Sequence, residues 1–123
     1  MNLERIYIEL RKLYPEANAL DGKTNQNGLF IMLDKVEPIS HQKDMIYFRL
    51  SLDCVSFNRT SQAIYSFLDE LRERTIKAQN IFAEDIFDGI SFIQIDDNGH
   101  YGYSLNLKIT AYRDLPSEIL EDE

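Results

Sequence analysis

The chain has 123 residues, 44% of them hydrophobic and 28% charged, a balance that fits one ordinary globular domain and excludes the disordered and fibrous classes. Twenty-one acidic residues against thirteen basic ones leave a formal charge of −8 at pH 7, which repels nucleic-acid phosphates and anionic membrane surfaces. No basic run exceeds the Arg11-Lys12 pair, so nucleic-acid binding is disfavoured, and one cysteine excludes an internal disulfide and fits a reducing compartment.

The opening stretch MNLERIYIELRKLYP carries a charge every few residues and reads as neither signal peptide nor anchor. Leu3, Ile6, Tyr7, Leu10, Leu13 and Tyr14 recur at three- and four-residue steps, which predicts a helix over about 3–13 with Asn2 as its cap and Pro15 just beyond its end. PEANALDGKTNQNG is rich in Gly, Asn and Asp and reads as a loop. LFIMLDKVEP has strand length and is expected to end at Pro38, with ISHQKD as a turn. In MIYFRLSLDCV the alternation puts Ile46, Phe48, Leu50, Leu52 and Cys54 on one face and Tyr47, Arg49, Ser51 and Asp53 on the other, the signature of a strand with one buried side. From Ala63 the period turns helical through Ile64, Phe67, Leu68 and Leu71, with Asn58, Thr60 and Ser61 available as caps.

TIKAQNIFAEDIFDG is compatible with a short helix or with a loop that needs a partner surface, so residues 76–89 stay open between the two. ISFIQIDDNGHYGYSLNLKITAY predicts a hairpin turning at Asn98-Gly99, where a type I′ turn needs positive φ at both central positions. Tyr103, Leu105, Leu107, Ile109 and Ala111 line one face of its last strand. The order is α-β-β-α-β-β, which predicts an α+β two-layer sandwich: a four-strand antiparallel sheet covered by two main helices. One domain spans 1–115, and the acidic residues 116–123 form a loose tail.

Chemistry-bearing residues are few. Cys54 is in phase with Leu50 and Leu52 and is expected in the core; a nucleophilic role would need a cation or helix N-terminus beside it. Asn58-Arg59-Thr60 matches a glycosylation acceptor, but helix capping accounts for it. Asp96, Asn98 and Gly99 mimic part of a calcium loop, yet Gln94 and Leu105 occupy the first and last ligand positions. His41 and His100 sit in expected turns without a metal-ligand spacing, and the adjacent acidic pairs Asp69-Glu70, Glu84-Asp85 and Asp96-Asp97 point different ways. Phosphate-loop, dinucleotide and nucleophile-elbow motifs are absent from the sequence. No catalytic, cofactor-binding or metal-binding residue is therefore expected.

The element order, and above all the strand-to-helix passage LDCVSFNRTSQAIYSFLDEL followed by the closing strand YGYSLNLKITAY, resembles the tail-completion and tail-terminator proteins of long-tailed bacteriophages and prophages, small head–tail connector subunits. The resemblance extends over about residues 1–113 and rests on pattern, since the family has no catalytic motif to match. It implies a non-enzymatic virion protein, cytoplasmic during assembly, whose subunits close into a ring, typically a hexamer, between the tail tube protein and the head connector protein. Neither membrane nor small-molecule substrate is implied.

A ring subunit needs two complementary surfaces. Ile81, Phe82, Ile86 and Phe87 are candidates for one of them, because four large apolar groups lack an evident intrachain partner; covering the domain's own core is the alternative. Asn106, Lys108, Thr110 and Tyr112, the polar face of the last strand, are further candidates. A small acidic α+β module that inhibits a basic partner, as immunity and regulatory proteins do, is the competing function, and an enzyme on a similar sandwich is a third.

Overall fold

The computed structural model describes residues 2–19, 28–57, 59–94, 97 and 100–113. Helix α1 spans Leu3–Leu13; the Asn2 side chain caps it by accepting the Arg5 amide at 2.8 Å, and its stripe buries Ile6 and Leu10. Strand β1 (Asn18–Ala19) follows, and Gly28, at φ 72°, leads into β2 (Leu29–Ser40). His41 and Gln42 turn the chain into β3 (Lys43–Asp53), after which come the single-turn α2 (Cys54–Phe57) and the long α3 (Ser61–Ile76). Thr60 accepts the Ala63 amide at 3.2 Å and is the residue that caps α3. A second one-turn helix, α4 (Gln79–Phe82), precedes β4 (Phe87–Gln94) and β5 (Tyr101–Tyr112).

The architecture is α+β. Five strands form one sheet in the order β1-β2-β3-β5-β4. The register stacks the apolar face: Ile31 stands beside Leu50 and Leu50 beside Leu105, while Phe48 meets Leu107 and Ile46 meets Ile109. Ile6 and Leu10 of α1 and Ile64, Leu68 and Leu71 of α3 join this face in one core. Each such side chain contributes about 1.5–3 kcal/mol by leaving water.

The two main helices are also tied by a polar knot. The hydroxyl of Thr75, wholly buried, donates to the Leu71 carbonyl at 2.7 Å, so the enclosed Tyr14 hydroxyl is the donor in its own hydrogen bond to Thr75. Arg74 closes the knot at the surface by donating to Glu16 (2.7 Å), Glu70 (2.9 Å) and the Leu13 carbonyl (3.2 Å). Burial would raise the Glu16 carboxyl, but the Arg74 hydrogen bond and charge outweigh it and hold the group below its usual range.

Four details depart from the sequence expectation. The sheet is mixed and five-stranded, because Asn18 and Ala19, read as loop, pair in parallel with Phe30 and Ile31. Pro38 does not end its strand: β2 continues to Ser40 with an irregularity after Pro38, and an edge strand tolerates the missing N–H. Cys54 opens α2 in place of closing β3, although it is buried as expected. Residues 76–89 are neither one helix nor one loop, but the end of α3, the turn of α4 and the start of β4. The expected turn at Asn98-Gly99, the loop at 20–27 and the tail at 116–123 lie outside the described residues.

Candidate functional site

The 81–87 segment finds its partner within the chain. Ala83 adopts the left-handed conformation (φ 58°) and closes α4, which turns Phe82 inward to 8% exposure. The Glu84 carboxylate then accepts both the Thr110 amide (2.9 Å) and the Thr110 hydroxyl (3.1 Å), and the Ile86 carbonyl accepts the Lys108 amide (2.9 Å). These bonds serve β5 at rungs below the start of β4, so the segment prolongs the sheet edge. Ile86 is fully enclosed, and Phe87 packs half-buried against the core. Phe82 and Ile86 are therefore core residues, which corrects their candidacy for an interface. Ile81, 39% exposed, is the member of the four that keeps a surface role open.

The polar face of β5 divides in the same manner. Ser104 donates to Asn106 (2.7 Å) and Asn106 to Ser91 of β4 (3.1 Å), which ties the two strands together on the face away from the helices. Thr110 is occupied by Glu84. Lys108 is exposed, and Tyr112 is 64% exposed, with the Lys43 ammonium 6.0 Å from its ring centroid. Of the eight sequence candidates, Ile81, Lys108 and Tyr112 present open surface.

A further open feature lies along β2, at residues the sequence expectation did not name. Strand β1 covers β2 only at Phe30 and Ile31, so among the described residues no strand pairs with the outer edge of β2 from Met32 to Ser40. Leu33, Val36 and Ile39 are all exposed along it, Val36 at 45%. On the face away from the helices, Lys35 approaches Glu37 at 3.5 Å and lies over the Tyr47 ring at 4.8 Å, while the Tyr47 hydroxyl donates to Glu37 at 3.4 Å. Toward the helices, Leu3 of α1 stands between two grooves. One, of about 720 Å³, is lined by Tyr7, Ile31 and Leu33 among others. The other, of about 370 Å³, is lined by Val36, Ile46 and Tyr112 and ends at Arg113, which is clamped to Asp44 at 2.6 Å. The interleaved Asp34, Lys35 and Glu37 were the available sign that this half of the strand faces water.

The other sheet edge differs in chemistry. The edge strand β4 carries an irregularity between Phe87 and Ile90, with Gly89 at φ 98°, a device that blunts edges. Beyond it, exposed Phe92 stacks on Tyr101 (6.0 Å between centroids) and meets Tyr103 edge-on (5.8 Å), and Tyr65 of α3 meets Tyr103 edge-on (6.2 Å).

Burial, and then the charge of Asp53, push the Cys54 thiol above its ordinary value, the opposite of what a nucleophile needs. Among the described residues no group of three His, Cys, Asp or Glu side chains could hold a metal ion, and no helix is long and apolar enough to cross a membrane. Comparison with known proteins adds no family: no family model matches the chain, and no curated protein or solved structure matches it significantly.

Proposed function

We propose that this protein is a structural subunit of a phage or prophage particle, a tail terminator or head–tail joining protein that closes into a ring on the end of the tail tube. The reading is non-enzymatic and needs no cofactor. Its main support is one observation: in a single sheet backed by one helix layer, two edges of different chemistry have no strand partner among the described residues, apolar and charged along Met32–Ser40 and aromatic along β4. A heterologous contact requires two unlike surfaces on each subunit, and repeating it closes a ring when the rotation closes. Ile81, Lys108 and Tyr112 remain as surface groups for contacts with the tube or the head connector. The strand-to-helix passage that carries the family resemblance supports the same reading.

Electron microscopy of the purified protein mixed with tail tubes from the phage or prophage that encodes it tests the proposal. Rings or caps on tube ends are the expected result. Bare tube ends at saturating protein sink the proposal, and stoichiometric capture of a basic protein partner would then favour the acidic binding module.

A further inference from the structure

We propose that, in the free protein, the outer edge of β2 pairs with the same edge of a second copy, antiparallel about a two-fold axis at Val36. Three observations converge on this occupant. First, among the described residues the stretch of β2 without a strand partner on its outer side lies between Ile31, the last residue seen paired with β1, and the turn at His41; Val36 stands at the midpoint between these bounds. Two copies joined over the whole available length therefore place Val36 opposite Val36. Second, this register sets Lys35 of each copy opposite Glu37 of the other, so the edge is complementary in charge to itself. Lys35 and Glu37 already share the face away from the helices, 3.5 Å apart, and the pairing builds a cluster of alternating charge from two such pairs. A slip of one residue loses that match, setting Asp34 against Glu37 in one direction and Lys35 against Pro38 in the other, and a slip of two sets Lys35 against Lys35 or Glu37 against Glu37. Third, the same register brings Leu33 near Ile39 of the other copy, covering exposed apolar groups on an edge with no strand partner among the described residues. Pro38 lacks a donor, which thins the ladder at two symmetric rungs and leaves the central Val36 rung intact.

This contact goes beyond the ring reading. It gives the edge an occupant before assembly: a two-fold pair that must open if the ring uses the same edge. The occupant follows from length and charge, whereas an unrelated strand would have no reason to match both.

Sedimentation velocity from micromolar to millimolar concentration tests it, with circular dichroism as the control for folding. The wild-type chain is expected at twice the chain mass, and Lys35→Glu and Glu37→Lys variants as monomers. Each variant carries like charges at both positions, so it repels itself but complements the other. An equimolar mixture of the two is therefore expected to recover the dimer, a rescue that a role within one chain cannot produce. A wild-type chain that stays monomeric throughout overturns the inference and identifies Lys35 and Pro38 as guards of a solvated edge. Dimers that survive both single variants, or a mixture that stays monomeric, overturn it as well. None of these outcomes touches the test of the ring at tube ends.

Discussion

Tyr14→Phe and Thr75→Val probe one buried hydrogen bond from its two sides, and the bond's direction makes their effects unequal. Thr75 gives its proton to the Leu71 carbonyl and receives one from Tyr14. Removing the Tyr14 hydroxyl leaves Thr75 still bonded to Leu71, so the loss is that of one ordinary hydrogen bond, about 1 kcal/mol. Removing the Thr75 hydroxyl strands a buried donor on Tyr14, at about 1–3 kcal/mol. The double variant has no stranded donor, so it should cost less than the sum of the two. Burial raises the Tyr14 pKa to about 12, against an ordinary 10.0. A raised folded-state value means the contribution is complete below pH 10 and is lost as pH rises toward 12, because the unfolded chain ionises first. Relative to Tyr14→Phe, the wild-type chain should lose about 1 kcal/mol by pH 11 and about 2 kcal/mol by pH 12. Urea unfolding followed by circular dichroism at pH 8, 11 and 12 measures both effects. Equal costs for the two single variants, or a difference from Tyr14→Phe that ignores pH, would refute the assigned direction and the burial of the phenol.

Phe82→Ala should destabilise the domain by about 3–5 kcal/mol, whereas Ile81→Ser should stay within about 0.5 kcal/mol, since one side chain fills the core and its neighbour faces water; chemical denaturation of both variants checks the contrast. Glu84→Ala leaves the Thr110 amide and hydroxyl without their shared acceptor, and a loss of about 1–3 kcal/mol is expected, with faster amide exchange at Thr110 as the local signature. Cys54 should resist a thiol reagent in the native state and react fully in urea; rapid labelling of folded protein would contradict its burial.

Much of the fold was legible because its period is strong. The stripe from Leu3 to Tyr14 gave α1, and the alternation from Ile46 to Leu52 gave β3 and its inward face. The passage from β3 through a short joint into α3 was visible in the change of period after Val55, although the joint itself coils into a turn of helix that no periodicity announces. Two residues of parallel strand at Asn18 and Ala19 carry no pattern at all; they pair because Phe30 and Ile31 are in reach, which is tertiary information. The four apolar residues of 81–87 misled for a related reason. The bonds that hold this segment against β5 run from Thr110 to Glu84 and from Lys108 to Ile86, across 22 residues or more of sequence, and a local reading cannot see them. Pro38 was read by its common meaning, a strand terminator, when its position on an edge gave it a different one.

Among the described residues, the uncovered edge of β2 follows from a mismatch of lengths. An 11-residue helix rises about 16 Å, while a 12-residue strand extends about 40 Å, so α1 cannot cover the hairpin it lies on. Strand β1, two residues long, does not make up the difference. The burial along β2 records the boundary: its first residues alternate inward through Ile31, and from Leu33 onward every residue is exposed. A strand meant only to be solvated would be expected to carry polar groups on both sides there. Instead Leu33, Val36 and Ile39 are interleaved with Asp34, Lys35 and Glu37, so the exposed half combines apolar groups with charges of both signs. That composition is what the proposed pairing of two copies draws on, and it lies in the part of the sheet that the helices are too short to reach.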